Sequence, residues 1–139
     1  MMARRAEHFF EEHRGELEIR VDGPTLAAVF VEAGRALAEL MNATPLEAPV
    51  GLSDEVVVNA PDREALLVEW LNELVYRSEV ERAIFTELEI GQLSGNRLVA
   101  TIRGTRVAGL RNPVKAATYH GLSIAEKAGG ITAKVLLDV

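Results

Sequence analysis

Two stretches of the chain repeat apolar residues at the spacing of an amphipathic α-helix. The first, Pro24–Asn42, carries its apolar stripe at Leu26, Val29, Phe30, Ala33, Leu37, Leu40 and Met41. The second, Asp62–Arg77, carries its stripe at Leu66, Leu67, Trp70, Leu71, Leu74 and Val75. Pro24 suits the first turn of a helix because its missing N–H has no partner there, and Asp62 is a good N-cap. The pattern predicts two helices that each bury one face, with Trp70 in the core.

Alternating apolar and polar residues predict strands in much of the remaining chain. Segments with this alternation, or with a run of β-branched residues, are 17–21, 56–58, 87–90, 98–102, 114–122 and 131–137. Ser94–Asn96 predicts a hairpin turn, and Lys127–Gly130 predicts another. One or two strands precede the first helix, so the predicted order is β(β)–α–β–α–β–β–β–β. This order favours an α+β fold in which a mostly antiparallel or mixed sheet carries both amphipathic helices.

The length of the chain, 139 residues, predicts a single domain over residues 1–139. The break at Glu47–Ser53 is interpreted as a loop, because neither side of it could bury a core alone. Hydrophobic residues make up 48% of the chain and charged residues 26%, which is typical of a soluble globular protein. The absence of cysteine excludes disulfides, thiolate metal sites and cysteine nucleophiles.

The first residues, MMARRAEHFFEEH, place charges where a signal peptide would have its apolar region. No apolar run reaches the roughly 18 residues that a membrane-spanning helix needs. We therefore expect a cytoplasmic protein that makes no contact with membranes.

Charge is distributed unevenly along the chain, whose net charge is −6. Residues 1–89 hold 19 acidic and 8 basic side chains, whereas residues 90–125 hold no acidic side chain and five basic ones. An acidic protein is a poor general binder of nucleic acid, because affinity for phosphates comes from neutralising them. The basic segment could touch a phosphate or an acidic protein face, or it could simply be a solvated, arginine-rich sheet face.

Common catalytic motifs are absent from the sequence. It contains no phosphate-binding glycine-rich loop and no His-Glu-x-x-His pair, and no serine lies in a nucleophile elbow. The three histidines, His8, His13 and His120, are too scattered to predict a metal site from their spacing.

Acidic groups from two distant segments could meet at one place. Asp138 lies one residue before Val139, and Glu16 comes from a predicted strand that could be a neighbour. Glu16, Asp138 and the carboxylate of Val139 would form an all-oxygen ligand set, which suits Ca²⁺ or Mg²⁺ and disfavours zinc. The alternative is a frayed end with a solvated aspartate.

A second cluster, Tyr119-His120-Gly121, interrupts a predicted strand. The simplest interpretation is structural: the Tyr119 ring packs, His120 bonds backbone, and Gly121 allows a bend or a bulge. His13, beside a predicted strand, is likewise interpreted as a local hydrogen-bonding group.

Four segments of the sequence, in order, resemble the archease family. Glu12–Ile19 resembles the family's Asp-His-Thr-Ala-Asp-x-x-Ile segment, and Glu69–Leu74 contains its Trp-Leu-Asn-Glu-Leu helix motif. Val114–His120 is similar to the Val-Lys-Ala-x-Thr-Tyr-His strand, and Leu136–Val139 ends in the family's Asp-Val/Ile pair. The resemblance spans nearly the whole chain, and the ordered set is specific where each motif alone is weak.

The resemblance implies a non-enzymatic helper protein of an RtcB-type RNA ligase, which joins tRNA halves using GTP and metal ions. Such proteins promote guanylylation of the ligase and its multiple turnover. The family's divalent-cation site maps by position onto Glu16, Asp138 and Val139. Residues expected to support that site or to contact the partner are Glu12, His13, Lys115, Tyr119 and His120.

Two departures from the family pattern bear on these expectations. Glu12 and Glu16 stand where the family has aspartates, and a longer side chain shifts ligand distances. The segment Gly104–Pro113 is interpreted as a short basic loop, which could alter the choice of partner.

Two further functions stay open at this stage. One is a chaperone-like adaptor for a tRNA methyltransferase. The other is a metal-dependent hydrolase that uses Glu12, Glu16, His13 and His120 around a cation, and it requires a pocket enclosing all four.

Overall fold

The computed structural model describes residues 5–13, 15–112 and 114–139, and only the backbone of His13. In chain order the elements are β1 (Glu7–His13), β2 (Glu16–Gly23), α1 (Leu26–Met41), β3 (Ala43–Pro45), β4 (Gly51–Asn59), α2 (Arg63–Glu81), β5 (Ala83–Leu93), β6 (Arg97–Leu110), β7 (Ala116–Lys127) and β8 (Gly130–Asp138). No helix among these residues is long and apolar enough to cross a membrane.

The strands form two antiparallel sheets. In the first sheet the order is β1-β2-β8-β7, so β2 and β8 are its central strands. In the second sheet β6 pairs with β4 and β5, and its last residues also pair with the short strand β3. The predicted α+β class is confirmed. The hairpin pattern did not show that the strands divide between two sheets.

Both helices begin at side-chain caps. Thr25 accepts a hydrogen bond from the backbone N–H of Ala28 at 3.1 Å, so α1 starts just after Pro24. Asp62 accepts one from Ala65 at 2.8 Å and is the predicted N-cap of α2. This helix continues to Glu81, beyond the predicted end.

The helices contact both sheets and form the centre of the core. Helix α1 contacts β2 and β5, while α2 contacts β7, β5 and β4. Trp70 is fully buried, as predicted, and its indole N–H donates to the backbone carbonyl of Phe30 at 2.9 Å. This hydrogen bond satisfies the one polar group of a large core side chain and joins α2 to α1.

Asn72 connects α2 to the edge strand β7. Its amide nitrogen donates to the carbonyl of Ala117 at 3.2 Å, and its amide oxygen accepts from the N–H of Ala117 at 2.7 Å. Both backbone groups of one edge residue are thereby satisfied by a single side chain. Asn72 therefore fixes β7 against the helix beside the row of strand ends described below.

Two loop predictions were wrong in part. Most of the predicted loop Gly104–Pro113 is strand, because β6 runs to Leu110, and Pro113 lies outside the described residues. Gly104 is required there by close approach of β5: a Cβ atom would lie 1.9 Å from the carbonyl oxygen of Ile84. Strand β4 likewise begins at Gly51, inside the predicted loop Glu47–Ser53.

The arginines of the basic segment do not form one patch. Arg97 donates to Asn59, Arg103 pairs with Glu89 at 3.5 Å, and Arg106 donates to the backbone of Glu81. Arg111 donates to Thr44 at 3.2 Å. Each of these side chains therefore makes a local contact of its own.

His8 ties the edge strand β1 to α1. Its Nδ1 lies 2.6 Å from a carboxylate oxygen of Glu32, and its Nε2 contacts the carboxylate of Glu39. Arg35 also faces Glu32, at 3.7 Å, and uncharged Val21 pairs with His8 on the neighbouring strand. Partial burial lowers the pKa of His8, but the hydrogen bonds to the two glutamates outweigh it and raise the pKa above its usual value.

The raised pKa predicts a pH-dependent contribution of His8 to stability. This contribution is fully present below the pKa of an unfolded-state histidine, about 6.5, and is lost as pH rises through the higher folded-state pKa. Urea unfolding of the wild-type protein at a series of pH values should show this loss, and His8→Gln should remove it. His120→Gln, at an exposed position, should retain it. Identical pH profiles for wild type and His8→Gln would contradict the assignment.

Candidate metal centre

The register of the central strands places Glu16 directly opposite Asp138. The next pair along the same ladder, Leu17 and Leu137, is buried in the core. Successive side chains of a strand point to opposite faces, and directly opposed residues share a face. The carboxylates of Glu16 and Asp138 therefore lie side by side on the outer face of the first sheet, away from the helices.

All four strands of the first sheet contribute one residue to the row that contains Glu16 and Asp138. On β1, His13 pairs with Glu16 through the backbone, and its side chain lies outside the described part of the structure. On the β7 side, Ala116 pairs with Asp138, and the N–H of Lys115 donates to the carbonyl oxygen of Asp138 at 2.8 Å. The backbone of Asp138 is thus held on both sides, which orders a carboxylate one residue from Val139.

The two carboxylates form a like-charge cross-strand pair, an arrangement that destabilises a sheet. Glu16 is half-buried and Asp138 is exposed. Among the ion pairs of the described side chains, none involves Glu16 or Asp138. A cation bound between the two oxygens would relieve this repulsion.

A cleft of about 610 Å³ opens beside the row. Its lining residues are Glu12, Gly15, Glu16, Leu17, Leu40, Arg111, Asn112 and Val139. Asn112 donates from its side chain to the carbonyl of Leu40 at 3.0 Å, which holds this segment against the end of α1. The cleft therefore brings three predicted site residues, Glu12, Glu16 and Val139, together with one cation, Arg111. Asp138 is not part of its lining.

Tyr119 and His120 lie in a bulge of β7. Pairing with β8 jumps from Thr118 to Ser123, and Gly121 within the bulge has φ +68°. The predicted bulge at Gly121 is confirmed, because that backbone conformation favours glycine. The predicted packing of the Tyr119 ring is wrong: the side chain is 57% exposed.

A hydrogen bond from its hydroxyl group holds the Tyr119 side chain in place. The hydroxyl donates to a carboxylate oxygen of Glu69 on α2 at 2.7 Å. This bond, with slight burial and the nearby negative charge, raises the pKa of Tyr119. The residue therefore links the bulge to α2, and Glu69 is not the purely solvated side chain that its place off the apolar stripe suggests.

The hydrolase alternative requires one pocket for four residues. His120 is exposed and does not line the cleft that contains Glu12 and Glu16. Within the described residues, no three His, Asp or Glu side chains are grouped so that they could hold a metal ion together. The predicted ligand set contains only two such side chains, those of Glu16 and Asp138, and its third member is Val139.

Sequence patterns missed part of this site. Asn112 and Leu40 line the cleft, yet neither carries a recognisable chemical signal, because their positions depend on how α1 meets the end of β6. In the sequence, Asn72 is recognisable only as part of a helix motif, and that motif does not predict its hydrogen bonds to the backbone of Ala117.

The chain is thus a small α+β domain built from two antiparallel sheets and two helices. Its distinguishing feature is a pair of opposed carboxylates at one end of the first sheet. The model of the archease protein family (MTH1598/TM1083) matches residues 9–139. The chain belongs to the archease family.

Individual relatives agree over nearly the full length. The chain is 30% identical to the protein archease of Methanosarcina mazei over 137 residues, with 92% of each covered. It is 31% identical to that of Methanopyrus kandleri, covering 92% of this chain and 96% of the relative.

Solved structures share the fold. The solution structure of Methanobacterium thermoautotrophicum protein 1598 aligns with a TM-score of 0.70 and 29% identity, covering 97% of this chain and 99% of that one. The crystal structure of an archease and possible chaperone (TM1083) from Thermotoga maritima aligns with a TM-score of 0.68 and covers 93% and 94%. Its 17% identity makes it a likeness of fold alone.

Removing one charge of the carboxylate pair should stabilise the metal-free protein. We expect Glu16→Gln to raise the free energy of unfolding by about 0.3 kcal/mol in the presence of a chelator, because the like-charge repulsion disappears. Measurement of all variants at one fixed pH keeps the pH-dependent contribution of His8 out of the comparison. Glu55→Gln is the matched control, since this exposed glutamate lies opposite neutral Thr101. Equal effects of the two substitutions would contradict the repulsion.

Proposed function

We propose that this protein is a non-enzymatic activator of an RtcB-type RNA ligase and that it acts through a divalent cation held at the end of the first sheet. The observation that carries the proposal is the pairing of Glu16 with Asp138, one residue before Val139. Family membership supports the assignment, because the resemblance implies the same three positions.

The donor set fits a hard cation. Glu16, Asp138 and the Val139 carboxylate would supply only anionic oxygens, the ligands that Ca²⁺ and Mg²⁺ prefer. An ion there would neutralise the opposed carboxylates, and water would fill its remaining positions. Glutamate at position 16, where the family has aspartate, reaches one methylene further. Its half-buried position on a central strand limits the freedom that this extra length adds.

Each residue has a distinct part in this arrangement. Asp138 is oriented by the β2–β8 ladder and by the N–H of Lys115. Glu16 supplies the opposing oxygen from a rigid central strand. Held by these residues, a cation would supply positive charge that stabilises negative charge on phosphate groups at the ligase. Glu12 and Arg111, which line the neighbouring cleft, would contact the partner protein.

Electrostatics supports docking at this end. Acidic side chains cluster where β1 and β8 end and β2 begins: Glu11, Glu12, Glu16, Glu18 and Asp138. A ligase that binds RNA presents basic surface, and complementary charge speeds encounter and fixes orientation. The cation would then sit within the contact area and not on an unrelated face.

A chaperone-like role for another client, such as a tRNA methyltransferase, is the alternative. The Thermotoga maritima protein of the same fold is described as a possible chaperone. On α2, Tyr76 and Val80 are 60% and 62% exposed and lie one helical turn apart. This apolar pair offers a client contact that does not involve the carboxylates.

Asp138→Ala should abolish activation while leaving the fold intact, because the exposed side chain contributes charge to the site and little to the core. The measurement is multiple-turnover RNA ligation, together with guanylylation of the ligase, reconstituted with excess wild-type or variant protein. Glu55→Ala, an exposed acidic residue on the second sheet, controls for loss of general negative charge.

Ligase turnover equal with Asp138→Ala and wild type would end the metal-centred proposal. Activation that survives Asp138→Ala but fails with a Tyr76→Ser, Val80→Ser double variant would move the function to the α2 surface. Circular dichroism of each variant confirms that the fold is present.

A further inference from the structure

The opposite end of the outer face of the first sheet carries a second, basic hollow. Its volume is about 300 Å³, and its polar lining includes Arg20, Asp22, Lys127, Gly130, Thr132 and Lys134. These residues come from β2, β7 and β8, so three adjacent strands build the hollow. It shares no lining residue with the acidic cleft.

Small residues explain why this surface is concave. Ala125 pairs with Thr132 and Ser123 pairs with Lys134, so short side chains occupy the β7 side of the face. Gly130 approaches the turn after β2 so closely that a Cβ atom would lie 2.6 Å from the carbonyl oxygen of Gly23. The long side chains of Arg20, Lys127 and Lys134 therefore surround a surface formed by short side chains.

The charges of the hollow are not balanced. Arg20 lies directly opposite Lys134, a like-charge pair that destabilises the sheet when nothing separates the charges. Asp22 accepts a hydrogen bond from the Thr132 hydroxyl at 2.8 Å and lies 3.6 Å from Arg20, so its carboxylate is already engaged. Among the lining residues, three cations face one carboxylate.

Arg20 remains able to bind a further anion. Its guanidinium group stacks over the Phe9 ring at 4.3 Å, and its side chain is 44% exposed. Stacking uses the face of the guanidinium plane, so the N–H groups at its edge that do not face Asp22 can donate to an anion. Phe9 is itself 42% exposed and lines an adjoining hollow that shares Arg20 and Lys134. Glu11 and Glu18 also line this adjoining hollow but not the basic one, so the positive excess belongs to the basic hollow alone.

We propose that this basic hollow binds the phosphate group of a small ligand, either inorganic phosphate or a mononucleotide. A phosphate dianion matches the excess of two positive charges, and an arginine fork with two flexible lysines suits its several oxygens. The bound anion would lie between Arg20 and Lys134 and relieve their repulsion. In a mononucleotide, the base would reach the exposed Phe9 in the adjoining hollow.

The test is an NMR titration of the full chain with inorganic phosphate and, separately, with a nucleoside monophosphate. We expect saturable shifts of the backbone amides of Lys127, Gly130 and Thr132. A Lys127→Gln, Lys134→Gln double variant should weaken binding by about tenfold, since it removes two of three charges. Arg97→Gln, which removes an exposed cation from the second sheet, should leave it unchanged.

The two titrations distinguish the sources of phosphate. Tighter binding of the mononucleotide, reduced to the phosphate value by Phe9→Leu, identifies a nucleotide site. Equal affinities identify a site for free phosphate. The proposal is overturned if the shifts are not saturable, if they lie elsewhere, or if the double lysine variant binds as the wild type does.

Discussion

The register between β2 and β8 is the constraint on which the rest of the structure depends. Core pairs such as Ile19 with Val135 and Val21 with Ala133 are buried on the inner face, against the helices. A slip of one residue would turn each of these side chains toward solvent, so packing of the core allows one register only. The same register also determines which residues lie opposite each other on the outer face. At one end it imposes Glu16 opposite Asp138.

The same constraint produces a charge separation along one sheet face. The carboxylate pair lies at the end where β8 finishes, and the Arg20–Lys134 pair lies toward the end where β8 begins. Both are like-charge pairs that a sheet selected for stability alone would avoid. Each becomes favourable when an ion of opposite sign separates the charges. If both proposals hold, this face binds a cation at one end and an anion at the other, joined by the two central strands, while the helices provide the core.

Much of the fold could be predicted from the sequence, because periodicity reports burial on one face of each element. The two helices, the Asp62 cap and the hairpin strands follow from that pattern. The division into two sheets did not, since it depends on which strands pair at long range. The segment Gly104–Pro113 was predicted to be a loop, whereas β6 continues to Leu110, and close approach of β5 requires glycine at position 104. At the site, the acidic residues suggested Glu16, Asp138 and Val139, and the resemblance implied the same positions. Only the structure shows that Glu16 opposes Asp138 and that Tyr119 bonds Glu69.

The central claim is that Glu16 and Asp138 together hold one hard cation. The most direct measurement is a titration of the isotopically labelled protein with Ca²⁺ and with Mg²⁺, followed through its backbone amide signals. The account predicts a single saturable transition confined to the amides of Glu16, Lys115, Asp138 and Val139. Signals at these positions that do not move, or shifts spread evenly over acidic residues of both sheets, would contradict it.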